Sequence, residues 1–594
     1  MKIVLAALNS KYIHSNLAVY SLKAYADDEL QRCGDISEPP DIEIAEYTIN
    51  QPYGKVMADL YRKIPDVLFL SCYIWNRREI ELLAEDMAKV MPGLDIWLGG
   101  PEVSYDAEET VRKLPLIRGV IRGEGEKAFS EVLKVYCNTK TISGFRRYNS
   151  DEMLKKISDI TFREASGRII SAAESHRLDF DTVPFPYNNL DEFSNRIIYY
   201  ESSRGCPFRC SYCLSSVDKS LAFRADEIVK SELKRFLDLK VPQVKFIDRT
   251  FNCEHEHAGQ IWRFIRENDN GVTNFHFEVA ADLLTDYEME LLRSMRAGQV
   301  QLEIGVQSTN IRTLTEINRP MDFGKVCRAV SKLRAGNNIH LHLDLIAGLP
   351  FEDMQSFRKS FNDIFALRPH QLQLGFLKVL KGSPMDRNSE KYGLRYTDAA
   401  PYEVLQTRWI SYGELMVLKA VEEMVEVYYN SGQFMRTVEL LLDLFEDAFG
   451  LFEVLGLWHQ ERGYELVNLS RNSRYELLLE FGSGYAADAK GTAAGCVGSE
   501  ELLQALVFDY YSRDNVKNRP EFLGEETAEK EYTKEFYRKE ASEHRILRSP
   551  ECIDADVRLL RRLTHIEKIG GKYYLFDYTQ RDPMSGNAEV IEQL

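Results

Sequence analysis

The sequence predicts an α/β protein in three parts: a doubly wound parallel sheet, a partial (β/α)6 barrel and a mainly helical C-terminal domain. Three observations predict it. Apolar runs of strand length alternate with amphipathic stretches over residues 1–138, the alternation resumes over 196–380, and beyond about 395 the apolar residues fall at helical spacing. A length of 594 residues leaves room for three or four domains.

The first part carries strand candidates at 2–8, 42–47, 67–71, 96–100 and 117–121, separated by helical patterns at 16–27, 54–64, 78–90, 106–114 and 126–137. Such alternation implies a mostly parallel sheet covered on both faces, with ligands bound beyond the carboxyl ends of its strands. Residues 139–195 are polar and end in DFDTVPFPYNNL, where Pro184 and Pro186 favour extended chain; a linker with a small hairpin is expected. The barrel strands are expected at 196–202, 243–248, 273–280, 299–307, 338–346 and 370–379. Helices are expected between them at about 225–239, 256–268, 285–296, 310–335 and 352–366. Over 391–594, segment 402–448 has helical apolar spacing, 483–500 is a Gly/Ala/Ser-rich loop candidate, and a strand pair is expected near 566–578. Trp409, Tyr412, Tyr428 and Tyr429 read as helix core rather than as substrate contacts.

Lys plus Arg number 75 and Asp plus Glu 92, giving a net charge of −17, which argues against a bulk polyanion such as nucleic acid as partner. No apolar run approaches a membrane span, and MKIVLAALNSKYIHSN lacks the features of a secretory signal, so a cytoplasmic protein is expected. The 10 cysteines are too sparse for a disulfide scaffold, yet three of them fall within eight residues.

That triplet is Arg204-Gly205-Cys206-Pro207-Phe208-Arg209-Cys210-Ser211-Tyr212-Cys213, spaced C-x3-C-x2-C, after the first barrel strand. Three thiolates on one loop can hold three irons of a 4Fe–4S cluster and leave the fourth open to a small molecule. A zinc knuckle is the alternative, but structural zinc wants a fourth ligand, which would have to come from far away. Nearby Cys253, His255 and His257 form C-x-H-x-H, either a second metal site or an ordinary polar strand-to-helix loop.

The cysteine loop resembles the signature of the radical S-adenosylmethionine (SAM) enzymes, including Tyr212 before the last cysteine. The resemblance covers about 196–380. It implies that Cys206, Cys210 and Cys213 hold the cluster, whose open iron chelates SAM and whose electron cleaves it to a 5′-deoxyadenosyl radical that abstracts substrate hydrogen. HFEVAADLL (276–284), EIGVQSTN (303–310), INRP with Arg319, and LDLIAGLP (343–350) resemble later strand segments of the oxygen-independent coproporphyrinogen oxidase branch. They imply SAM contacts at Glu278, Gln307, Arg319 and, for the ribose, Asp344. Where many members carry Gly-Gly-Glu at the second strand, this chain has Val244–Asn252; Asp248 is the candidate there. Independently, side chains two apart on a strand share a face, so His340, His342 and Asp344 point one way, as do His276 and Glu278, and Glu303, Gly305 and Gln307. A polar barrel lining is expected from them.

A Rossmann-like domain directly before such a barrel is similar to the cobalamin-binding domain of cobalamin-dependent radical SAM enzymes. LNSKYIHSN, FLSCYIWN, LGGPEVS and RGEGE sit at the strand ends such domains use, pointing to His14, Ser71, Gly99, Gly100, Gly123 and Gly125. The D-x-H-x-x-G pattern is not met, because Tyr12 and Leu17 replace its Asp and Gly, so His14 is either a cobalt ligand or a polar helix-start residue. A degenerate domain without cofactor is the plainer reading. The resemblance implies methyl transfer from methylcobalamin to an unactivated carbon of a small-molecule substrate, with flavodoxin or ferredoxin as low-potential electron donor. Alternatives are cyclisation or oxidation without methyl transfer, as in the anaerobic magnesium-protoporphyrin ester cyclase, or a non-catalytic cobalamin/SAM sensor. The C-terminal part resembles a domain of unknown function attached to some members. The sequence names neither the substrate nor a residue of the chemical step.

Overall fold

The computed structural model describes residues 1–32, 38–139, 146–174, 177–217, 220–488, 498–516, 518–525 and 528–592. It divides into two compact units. The first holds Met1–Val300, Thr315–Pro320 and Leu377–Thr407; the second holds Gln301–Leu314, Met321–Phe376 and Arg408–Leu594.

In the first unit, β1 (Lys2–Asn9), β2 (Asp41–Thr48), β3 (Val67–Ser71), β4 (Asp95–Gly99) and β5 (Gly119–Ile121) are parallel neighbours in the order β2-β1-β3-β4-β5. Helices such as Leu17–Arg32 and Arg77–Val90 cover the two faces, which bury separate apolar layers: Val4, Leu68 and Ile96 on one side, Ile3, Phe69 and Trp97 on the other. Alternate residues of each strand feed opposite layers, so the strands read as unbroken apolar runs. The hairpin expected between 139 and 195 is present, as β6 (Ile160–Arg163) and β7 (Ile169–Ser171), but it does not stand apart. It extends the sheet antiparallel past β5, giving seven strands. Pairing covers an edge that would otherwise expose unpaired backbone groups.

The same unit holds the start of the barrel: β8 (Ile198–Tyr200), β11 (Gln243–Phe246) and β12 (Asn274–Val279), parallel in that order. Between β8 and β11, β9 (Ser203–Arg204) and β10 (Ala222–Phe223) pair antiparallel and carry the cysteine loop between them.

In the second unit, β13 (Val300–Gln307), β14 (Ile339–Ala347) and β15 (Gln371–Phe376) are neighbours in order, with β14 and β15 parallel. The single helix expected over 310–335 is two, Ile311–Glu316 and Phe323–Arg334. Asn318 takes a φ of 53° and Pro320 disfavours helical backbone at Arg319, so the chain breaks there. A short ladder, β16 (Arg395–Tyr396) with β17 (Val404–Gln406), belongs to the first unit and occupies the start of the segment expected to be helical from 402. The helices proper run from Tyr412–Met424 onward. The chain closes with three antiparallel strands rather than two: β18 (Thr564–Ile569), β19 (Lys572–Arg581) and β20 (Ala588–Glu592). Of the Gly/Ala/Ser-rich stretch expected as a loop, the helix Arg471–Asp488 takes the beginning, and residues 489–497 lie outside the described residues. Tyr428 and Tyr429 are buried helical core, as expected, whereas Tyr412 is exposed.

Candidate active site

The cysteine loop is held in place by backbone before any ligand is considered. Gly205 takes a φ of 98°, and a Cβ there would meet the Ser220 carbonyl at 2.0 Å, so only glycine fits between Arg204 and Cys206. Ser211 N–H donates to the Ile317 carbonyl at 2.8 Å, and Met385 N–H donates to the Ser211 carbonyl at 2.8 Å. The Ile317 contact comes from the break in the expected helix, and it brings Arg319 to the loop: its guanidinium donates to Cys210 Sγ at 3.5 Å. Thr250 Oγ1 lies 3.7 Å from Cys206 Sγ. All three thiols are free, with Cys210 buried and Cys206 and Cys213 half-buried. Three sulfurs on one loop, two of them facing a polar hydrogen-bonding group, suit a metal–sulfur centre, whose sulfurs carry negative charge. Burial pushes the Cys206 thiol above its ordinary pKa, which bound iron would reverse by favouring the thiolate. Burial also raises Tyr212, beside Cys210 and Arg319.

Asp248 is placed differently from its expected role. It is 1% exposed, and its carboxylate accepts from Ser202 N–H at 3.1 Å, Ser202 Oγ at 2.8 Å and Ser203 Oγ at 2.6 Å. These bonds use most of a carboxylate's accepting capacity and shape the turn into the cysteine loop. The C-x-H-x-H group does not converge either. His257 faces Asp226 at 2.7 Å and Ser202 Oγ at 3.0 Å, whereas His255 faces Glu288 at 3.0 Å. Glu278 is half-buried on β12, on the same face as His276.

The carboxyl edge of the N-terminal sheet meets this loop within the first unit. The Arg204 guanidinium lies 2.6 Å from the Glu126 carboxylate, pairs with Glu201 and approaches Glu124 at 3.7 Å, with the Phe180 ring 4.5 Å beneath it. Sequence reasoning took RGEGE for its glycines and missed its acids, although Glu126 begins the helix Glu126–Thr139 and so sits where a helix favours negative charge. Along the same edge, His14 Nδ1 lies 2.6 Å from the Tyr199 hydroxyl, and burial, then Lys11 and Lys245, lower its pKa. Asn16 Nδ2 donates to Ser71 Oγ at 3.1 Å. Gly99 ends β4, and Gly100, with a φ of 114°, packs its backbone on Cys72, whose carbonyl would lie 2.4 Å from a Cβ. Gly123, with a φ of 69°, has open space where a Cβ would be, and Gly125 faces Leu22. Tyr12, Trp75 and Tyr105, on the segments that follow β1, β3 and β4, are exposed, and Tyr73 stacks on Trp75 at 4.4 Å. Apolar rings on a glycine-lined strand edge suit a large flat ligand such as a corrin.

In the second unit, Gln307 ends β13 with a φ of 70°, a left-handed conformation costly for a residue with a Cβ. It is 9% exposed, and its side-chain Oε1 has no hydrogen-bond partner among the described residues. The next residue is held by a group the sequence did not single out: Ser308 Oγ donates to Glu352 at 2.5 Å, and Ser360 Oγ donates to the same carboxylate oxygen at 3.1 Å. Burial pushes the Glu352 carboxyl up to about 7, against the two serine hydrogen bonds, which lower it. Strain and an orphaned buried polar atom at one strand end suit a ligand-facing position. Asp344 lies on β14 with His342 Nε2 3.0 Å from its Oδ1.

Comparison with known proteins agrees with this arrangement. Residues 3–133 match the B12 binding domain, 200–364 the radical SAM superfamily, and 390–590 a domain of unknown function, DUF4080. The cobalamin-dependent radical SAM methyltransferase TokK of Streptomyces tokunonensis is 26% identical over 356 residues, 56% of this chain and 50% of that protein. The 2-(S-pantetheinyl)-carbapenam-3-carboxylate methyltransferase of Streptantibioticus cattleyicolor is 24% identical over 360 residues, again 56% of this chain and 50% of that protein. The chain thus spans about half the length of these curated relatives. Among solved structures, the cobalamin-dependent SAM radical enzyme OxsB, with aqua-cobalamin and SAM bound, superposes with a TM-score of 0.56 at 15% identity, covering 86% of this chain and 78% of that one. At that identity the likeness concerns the fold.

Proposed function

We propose that this chain, which joins a B12-binding domain to a radical SAM superfamily domain and a C-terminal DUF4080 domain, is a cobalamin-dependent radical SAM methyltransferase acting on an unactivated carbon of a small molecule. The observation that carries the reading is the Arg204–Glu126 pair, which ties the cysteine loop to the loop closing the B12-binding sheet. Two cofactor-binding edges then face the same place, as a methyl transfer between them requires.

When bound, the iron–sulfur cluster and SAM supply a 5′-deoxyadenosyl radical, and cobalamin supplies the methyl group. The protein's own work is placement. Cys206, Cys210 and Cys213 would hold three irons, with Thr250 and Arg319 facing two of the sulfurs. Of the further SAM contacts, Glu278 suits the cofactor's amino group, Arg319 its carboxylate and Asp344 its ribose, while Gln307 offers it a side-chain amide; Tyr212 packs the loop. Asp248, saturated by serine hydrogen bonds, is left to structure. His14, engaged with Tyr199, serves the edge as a polar residue, while Gly99, Gly100, Gly123 and Gly125 allow backbone to approach a corrin. Domain limits of 1–138, 139–195, 196–390 and 391–594 go with this reading. An external low-potential donor such as flavodoxin or ferredoxin would reduce the cluster. Among the described residues no helix is long and apolar enough to cross a membrane.

The test is anaerobic reconstitution with iron, sulfide, cobalamin, reductant and methyl-labelled SAM. Formation of 5′-deoxyadenosine is expected from the protein, and label in a methylated product once substrate is supplied. Absence of 5′-deoxyadenosine from fully reconstituted protein rejects the reading. Its formation with unlabelled product replaces methyl transfer by cyclisation or oxidation.

A further inference from the structure

A second cluster of ligating atoms lies in the second unit. Glu303 on β13 and His342 and Asp344 on β14 each offer one ligand atom, and the three atoms lie within 4.8 Å of one another. Strand alternation explains why they meet. Leu302, Ile304, Leu341, Leu343 and Leu345 point into the apolar core, so the residues between them point the other way, toward the barrel's polar lining. His342 is buried, and Glu303 and Asp344 are half-buried.

We propose that Glu303, His342 and Asp344 form a divalent-cation site, for Mn2+, Fe2+ or Zn2+. Two donors in neighbouring positions around a metal at about 2.1 Å lie about 3.0 Å apart. The His342 Nε2 to Asp344 Oδ1 separation is 3.0 Å. The third atom, on Glu303, lies within 4.8 Å of both, so a turn of that side chain toward the pair would bring it into the same coordination shell. Carboxylates suit Mn2+ and imidazole suits Fe2+ and Zn2+, whereas the thiolates of Cys206, Cys210 and Cys213 select an iron–sulfur centre. Three protein ligands leave coordination positions open for oxygen atoms of a substrate. A carboxylate has two oxygens, so a metal on Asp344 Oδ1 leaves Oδ2 for a ribose hydroxyl.

Metal binding at this site can be measured without the radical chemistry. Full-length protein carrying Cys206→Ala, Cys210→Ala and Cys213→Ala would be titrated with Mn2+ alone, and free Mn2+ counted by its electron paramagnetic resonance signal. One tight Mn2+ per chain is expected, displaced by one equivalent of Zn2+, with a nitrogen coupling from imidazole in the bound spectrum. Glu303→Gln, which keeps the side-chain shape, and His342→Gln are each expected to weaken binding at least tenfold, the latter with loss of the nitrogen coupling. Circular dichroism and thermal melting of both variants establish that they fold. Absence of stoichiometric binding, or binding undiminished in the folded Glu303→Gln and His342→Gln proteins, overturns the site.

Discussion

Arg204 and Glu126, 78 residues apart in sequence, lie 2.6 Å from each other with both side chains largely out of water. The pair joins the residue before the cysteine loop to the first turn of the helix after β5. Replacing Arg204 with Met would leave Glu126 and Glu201 buried without their cation. A loss of about 3–5 kcal/mol of stability is expected on that ground. Arg204→Lys should recover part of it, since lysine keeps the charge but not the fork that meets two carboxylates. Chemical denaturation of the three proteins measures both; equal midpoints would show that the pair is dispensable.

Cys206→Ala should abolish cluster assembly and leave the fold intact, because Cys206 is half-buried and its sulfur is held weakly, by Thr250 Oγ1 at 3.7 Å and the Phe208 backbone. Iron and sulfide content and visible absorbance after reconstitution read the first part, and circular dichroism the second. A variant with full cluster absorbance defeats the assignment.

Gln307 separates function from stability. Gln307→Gly removes a left-handed strain of about 1–3 kcal/mol and should leave the melting temperature unchanged or higher while SAM affinity falls. Gln307→Ala keeps the strain and loses the amide, so it should be weaker in both. Melting curves and SAM titration distinguish the two; SAM affinity unaltered in both variants removes Gln307 from the site.

Glu352 has a folded pKa of about 7 against an ordinary value of 4.5. A carboxyl raised in the folded state stabilises fully below its unfolded pKa, and that contribution is lost as pH rises through the folded value. The difference amounts to about 3.5 kcal/mol at most, from about 1.4 kcal/mol per unit. Glu352→Gln, which mimics the protonated acid, should therefore gain stability relative to the parent between about pH 5 and about pH 8. Melts of both proteins across that range test it; a constant difference shows that Glu352 does not titrate there.

Gly100 and Gly123 predict opposite costs for one substitution. At Gly100 an alanine Cβ meets the Cys72 carbonyl at 2.4 Å, whereas at Gly123 it meets nothing within 4 Å. Gly100→Ala should destabilise by several kcal/mol and Gly123→Ala by about 1 kcal/mol, the cost of its left-handed φ alone. Thermal melts compare them directly, and similar losses would contradict the packing at Gly100.

Periodicity was enough to read the five parallel strands of the first sheet, the six barrel strands and the helical C-terminal region, because each depends on residues within one element. The cysteine loop was legible for the same reason: C-x3-C-x2-C is a short-range pattern. Cys210 and Arg319, by contrast, are 109 residues apart, and they meet only because Asn318 and Pro320 break a helix that apolar spacing alone would have continued. The hairpin β6–β7 was legible as a hairpin, but its place on the sheet edge depends on pairing with β5. Asp248 looked available in sequence and is taken by Ser202 and Ser203 in space. The sequence by itself determined most of the elements and the chemistry of the cysteine loop. Only the tertiary structure decided which distant polar groups meet, because hydrogen bonds and ion pairs depend on distances that close when separate elements pack, and linear spacing does not record them.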